Sequence, residues 1–196
     1  MSGLTSPYFW YTSRTTGVIS LVFLTLVCVA GILVSTRVGG RRIGRFELNE
    51  LHRSLSMTAM IFVGIHVITT VIDTYVPIGW ISSVVPFTSP YKSLPVAIGT
   101  VAFDVMVAVW LTSLVKERLK FSSWRAVHWG SYLAFASSAL HAYTVGTDAH
   151  ARWCLYTLYG CLATVVVASL WRILARPERA AGRTAYSPLR GSKTSR

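Results

Sequence analysis

The chain has 196 residues, 53% of them apolar and 13% charged, where soluble domains carry about 25% charged residues. The apolar residues run in long blocks, which excludes a soluble globular domain and points to a multi-pass membrane protein. The net charge of +12 does not indicate a nucleic-acid binder, because Lys and Arg gather in short loops between the apolar blocks and form no stripe interleaved with exposed aromatics.

In chain order, residues 1–16 read as a short outer segment. They carry no basic leader, and the apolar run that follows is long enough to span, so no cleavable signal peptide is expected. Five spans follow, at 17–36, 51–76, 95–115, 124–147 and 153–175. Each has the roughly 20 residues that a hydrocarbon layer of about 30 Å requires. Helix is the expected conformation, since lipid offers no partner to open backbone groups. The predicted fold is therefore an all-α, five-helix transmembrane bundle over residues 17–175, without a second domain. The segment 77–94, with Pro77, Pro86 and Pro90, is the longest connection and is long enough to fold as a lid over the outer face. The basic, small-residue-rich tail 176–196 is expected to be disordered and cytoplasmic.

Orientation follows from Lys and Arg. The stretch 37–53 carries five, 116–125 carries four, and the chain from Arg172 onward carries seven; the opposite side has Arg14, Lys92 and Arg152. This predicts an N-terminus outside and a C-terminus in the cytoplasm, in the cell membrane. Tyr8, Trp10, Tyr11, Trp80 and Trp153 then fall at outer ends, and Trp124, Trp129 and Trp171 at inner ends, as aromatic belts do. Cys28, Cys154 and Cys161 lie inside apolar spans with no CxxC spacing and read as small buried hydrophobes.

Four histidines stand out. His52 and His66 lie fourteen residues apart in the second span, and His128 and His141 thirteen apart in the fourth. Along a helix these steps rise roughly 21 and 20 Å. If both spans run from cytoplasm to outside, His52 meets His128 at the inner depth and His66 meets His141 at the outer depth. Neutral imidazole ligates haem iron from both faces, so the spacing suggests two bis-histidine haems, one above the other. Facing agrees for one pair only. Fourteen steps of about 100° fall about 40° short of four turns, whereas thirteen leave about 140°. His128 and His141 therefore call either for a bulge near Gly130 or Ser137–Ser138, or for sites at different rotations about the helix.

The competing readings are blander. A histidine in a membrane helix is often an interhelical hydrogen-bonder, and a haem-free transporter or scaffold would need no more. Zinc is disfavoured, because neither Cys nor carboxylate joins the histidines at matching depth. Asp104, inside the third span, reads equally as a proton-handling or histidine-orienting group and as a carboxylate bonded to nearby hydroxyls. Arg14, Arg53, Lys92, Arg125 and Arg152 suit either haem propionates or lipid headgroups. His150 reads as a loop residue by default, with a place near an outer acceptor as the lesser reading.

The stretch from Leu51-His52-Arg53 through Gly64-Ile65-His66-Val67 resembles the third helix of the ferric reductase and NADPH oxidase membrane domain. Trp124-Arg125-Ala126-Val127-His128-Trp129 through Ala139-Leu140-His141-Ala142 is similar to its fifth. Thr112-Ser113-Leu114 and Arg14-Thr15-Thr16-Gly17 are similar to weaker patterns of the family, and the resemblance covers about residues 10–175. It implies the same fourteen and thirteen spacings with a haem-binding thirteen-residue pair. It also implies two b-type haems, with cofactor iron on His52/His128 and His66/His141. The oxidases have six helices and continue into a flavin- and nicotinamide-binding domain. Here five helices are expected, no GxGxxG follows a strand, and no flavin is expected within the chain. Pro86-Phe87-Thr88 matches part of a flavin-loop motif but lies outside its context. The chain looks more like stand-alone bacterial relatives, including the haem subunit of the periplasmic methionine sulfoxide reductase system. The function expected from all this is an oxidoreductase subunit that carries electrons from a separate flavoprotein to an outer acceptor. The alternative is a quinol-linked cytochrome b subunit.

Overall fold

The computed structural model describes residues 7–36, 44–73, 76–146, 148 and 151–174. They form five α-helices: α1 (Pro7–Thr36), α2 (Arg45–Ile72), α3 (Ser93–Leu114), α4 (Phe121–Val145) and α5 (Arg152–Leu174). Short 3-10 turns at Trp80–Ser83 and Lys116–Arg118 complete the secondary structure, and no strand occurs among the described residues. The loop arginines Arg37, Arg41 and Arg42, the loop residue His150 and the tail 176–196 lie outside the described residues.

Four helices are long and apolar enough to cross a membrane, and the protein is a multi-pass membrane protein: Tyr8–Thr36 within α1, Phe46–Ile72 within α2, then α3 and α5. The helix α4 is not among them by composition, because Ser122, Ser123, Arg125, His128, Ser131, Ser137 and Ser138 dilute its apolar content. Two helices begin earlier than hydropathy placed them. The first starts ten residues before Gly17, since its polar residues close on their own backbone: the Thr16 hydroxyl donates to Thr12 O at 2.6 Å and the Ser20 hydroxyl to Thr16 O at 2.7 Å. Hydroxyls bonded to the preceding turn make polar residues tolerable at membrane depth. The second starts at Arg45, where the Glu47 carboxylate accepts from the Gly44 N–H and favours the positive end of the helix dipole. It ends at Ile72 rather than near residue 76, where Asp73 caps it.

α1 packs along α2, α3 packs along α4, and α5 leans on α1; α2 and α4 hardly approach each other. One buried cluster joins Leu21, Phe135, Ala139, Leu158, Cys161 and Val165 across α1, α4 and α5. Another joins Val63, Ala102, Met106 and Ala134 across α2, α3 and α4. Small residues at these contacts let helices approach closely where lipid supplies no hydrophobic drive. Large apolar residues such as Leu26, Ile61, Val167 and Leu170 are exposed, as suits a surface solvated by acyl chains. The three cysteines are free, with Cys161 buried in the first cluster, in keeping with their reading as small hydrophobes.

Candidate cofactor site

The gap between α2 and α4 is bridged by the four histidines. The His52 and His128 rings lie 6.2 Å apart between centroids, with planes at 69°. The His66 and His141 rings lie 6.4 Å apart, at 80°. First thus meets first and second meets second, so α2 and α4 run in the same direction, as the depth argument requires. An ion bound by two opposed imidazoles, with bonds of about 2.0–2.1 Å, holds ring centroids about 6.3 Å apart. Both pairs stand at that separation.

Three of the four rings are fixed in one way. His66 Nδ1 bonds Ser13 O at 2.6 Å, His52 Nδ1 bonds Val27 O at 3.2 Å and His141 Nδ1 bonds Pro95 O at 2.9 Å. A carbonyl oxygen can only accept, so each bond requires Nδ1 in its N–H form and leaves Nε2 unprotonated and free to ligate. The acceptors are helical carbonyls, which retain a second lone pair beyond their own i+4 partner. That lone pair is reachable because glycine stands four residues on each time. Gly17 follows Ser13, Gly31 follows Val27, and Gly99 follows Pro95. A Cβ on these glycines would meet the imidazoles: 3.0 Å from His66 Cε1 and Nδ1, 3.3 Å from His52 Cε1, and 2.5 Å from His141 Nδ1. The sequence carried this signal. Gly17 and Gly31 are fourteen residues apart, as His52 and His66 are, which is the mark of an antiparallel pair of helices meeting twice in one register.

His128 is the exception. Its buried Nδ1 has no hydrogen-bond partner among the described residues. The ring stacks instead on Trp124, at 5.0 Å and 25°, and the Trp124 indole N–H reaches the Ser113 hydroxyl on α3 at 3.4 Å. The thirteen-residue step explains the difference. The helix is unbroken from Phe121 to Val145, with no bulge at Gly130 or Ser137–Ser138, so the two rings leave α4 at different rotations. With His141 turned onto α3, the residual of about 140° turns His128 away from it. Trp124, which reads as a membrane-belt residue in the sequence, serves as the wall that holds this ring.

A cavity of about 280 Å³ adjoins the second pair, lined by His66, His141, Gly17, Gly99, Arg14 and Asp148 among others. Arg14 lies over the Trp10 ring at 4.0 Å, and its Nη2 stands 2.8 Å from Asp148 Oδ2. No N–H of Nη1 or Nη2 is aligned on an acceptor among the described residues, so the contact with Asp148 is an ion pair without a well-formed hydrogen bond. Asp148 is about half exposed. Asp148→Ala is therefore expected to lower stability by no more than about 1 kcal/mol, readable as a small thermal shift in detergent. Of the other cations, Lys92 lies by Tyr91 and Arg125 by Phe121. Asp104 orients none of the four histidines among the described residues, since carbonyls hold three rings and His128 Nδ1 has no hydrogen-bond partner.

The donor set itself narrows what such pairs can hold. Among the described residues, no group of three or more His, Cys, Asp or Glu side chains gathers to bind a bare ion. Each pair offers two imidazoles, so the remaining positions of an octahedral metal would fall to a macrocycle, as in haem. The orphaned His128 Nδ1, the glycine-floored rings and the open gap between α2 and α4 all fit a group of that kind.

No curated protein and no solved structure matches the chain significantly. The profile of the ferric reductase like transmembrane component family matches residues 16–139, a span that holds His52, His66 and His128 and stops two residues before His141. Since that match covers well over half of the chain, the protein belongs to the ferric reductase like transmembrane component family.

Proposed function

We propose that the protein is a di-haem b electron-transfer subunit of the cell membrane. It spans five times, with its N-terminus outside and its C-terminus in the cytoplasm, and α4 crosses as the most polar span. His52 and His128 hold the inner haem; His66 and His141 hold the outer one. The observation that carries this reading is the pair of inter-ring separations, 6.2 and 6.4 Å, stacked along two parallel helices that otherwise hardly approach each other. A haem held between two such imidazoles would supply one-electron redox chemistry.

The chain's own residues do the rest. Ser13 O, Val27 O and Pro95 O keep three imidazoles in the ligating tautomer. Gly17, Gly31 and Gly99 let the rings seat against helical backbone. Val63, Ala102, Met106 and Ala134 form an apolar wall that excludes water and, with it, the reorganisation energy water would add. Arg14 places a positive charge beside the outer pair. The electron donor is a separate flavoprotein on the cytoplasmic side and the acceptor lies outside.

The test is spectroscopic. Purified protein, expressed with ample haem, is expected to show b-type α and Soret bands on reduction and two haems per chain by haemochrome assay. A colourless protein that remains folded would sink the proposal and leave a transporter or scaffold. Reduction by a quinol in membranes free of soluble flavoprotein would move the donor into the bilayer.

A further inference from the structure

The connection between α2 and α3 has two unlike sides. On one side, Ser82 is buried, and the Thr100 hydroxyl donates to its carbonyl at 2.7 Å. Ile78, Ser82, Ser83 and Tyr91 also line the cavity beside His66 and His141. On the other side, Trp80, Ile81, Val84, Val85 and Phe87 are each 47–69% exposed. Five large apolar side chains within eight residues form a surface patch that needs a partner.

Three observations identify that partner as lipid. The first is depth. Thr100 lies seven residues into α3, about 10 Å below its first residue, so the turn Trp80–Ser83 is tied down beside a membrane-crossing helix rather than held above it. The second is charge. Between Asp73 and Lys92 the chain has no charged residue, whereas protein-docking surfaces carry a polar rim. The third is backbone satisfaction. Gly79 O accepts from Ser82 N–H, Ile81 O from Val84 and Val85 N–H, Trp80 O from the Ser83 hydroxyl and Val85 O from the Thr88 hydroxyl. A segment that bonds most of its carbonyls within the chain can enter a water-poor layer at reduced cost.

We propose that the segment Val76–Lys92 is an interfacial lid. It sits in the headgroup–acyl boundary of the leaflet at the Arg14 end of the bundle, with Trp80, Ile81, Val84, Val85 and Phe87 in lipid and Ser82 facing the cavity. Trp80 and Tyr91 take interfacial positions, and Lys92 reaches back to the headgroups. The lid is held on both sides, by Thr100 beneath and by lipid around it, so the bilayer takes part in closing the cavity. The inference rests on the membrane-crossing of α2 and α3 and not on what the histidines bind.

The test uses the full chain in phosphatidylcholine–phosphatidylglycerol vesicles that carry a diazirine high on one acyl chain. Photolysis and peptide mass spectrometry are expected to find lipid adducts on residues 80–87. Adducts confined to the helices, with none on residues 80–87, would overturn the proposal. A second measurement uses Val84→Cys and Phe87→Cys in a chain whose own cysteines are alanine. In vesicles, both are expected to react with a membrane-impermeant maleimide several-fold more slowly than Glu117→Cys in opened vesicles. Equal rates would place the lid in water and refute it.

Discussion

Replacing His66 with alanine is expected to remove one haem and leave the other. The His66 and His141 ring centroids lie 6.4 Å apart, and no other histidine among the described residues pairs with either ring. Loss of either ring would leave the pair with a single imidazole and free a backbone carbonyl, Ser13 O or Pro95 O. Each lost hydrogen bond costs about 1 kcal/mol, well short of unfolding a bundle held by its helix contacts. The His52/His128 site shares no ligand with the mutated one and is expected to persist. The haemochrome ratio should therefore fall from two to one per chain, with a single reduced α-band remaining. His66→Ala and His141→Ala are expected to match each other and their double variant, because the first substitution already abolishes the site. If both haems survive in the double variant, the pairing is wrong.

The second large effect falls on a residue with no chemistry of its own. A Cβ on Gly99 would stand 2.5, 2.6 and 2.9 Å from His141 Nδ1, Cε1 and Cγ. These are atoms of a rigid ring, and the ring is tied to Pro95 O one turn before the glycine. It can withdraw only by breaking that bond. Gly99→Ala therefore combines overpacking, about 1–3 kcal/mol, with an unpaired buried imidazole N–H, about 1–3 kcal/mol. Alanine in a helix otherwise gains about 0.5–1 kcal/mol over glycine, which makes the sign diagnostic. Gly64 has nothing within 4 Å of its would-be Cβ, and Gly64→Ala is expected to stabilise. Gly31→Ala, with a nearest approach of 3.3 Å, is expected to keep both haems with a small shift in the inner one. Thermal melts and low-spin electron paramagnetic resonance signals check all three variants. Unchanged signals and an unchanged melting point in Gly99→Ala would remove the carbonyl–glycine seat from the account.

The glycine seats show how far the sequence could be read. The histidine spacings were plain, because a rise of 1.5 Å per residue turns them directly into depth. The equal Gly17–Gly31 spacing was equally present. It gains meaning only once α1 and α2 are known to run antiparallel in the register that sets Gly17 on His66 and Gly31 on His52. Hydropathy placed the start of α1 too late for a related reason. It scores Thr16 as polar, and cannot see that its hydroxyl is already bonded to the preceding turn. The serines and histidines of α4 leave it outside the four helices whose length and composition alone suffice for a span.

The sequence by itself determined that the protein lies in a membrane, that it is all helical, and that two helices each carry two histidines at matched depths. These are properties of composition and of rise along one helix, and both are local. The structure decided what lies across from each ring, because that depends on rotation about the helix and on the neighbour's register. It left α4 unbroken, turned His141 onto α3, and left His128 with Trp124 and an unpaired Nδ1. A fourteen-residue step returns nearly to the same face and can use the same neighbour twice. A thirteen-residue step cannot, so only packing could show where its second ring would rest.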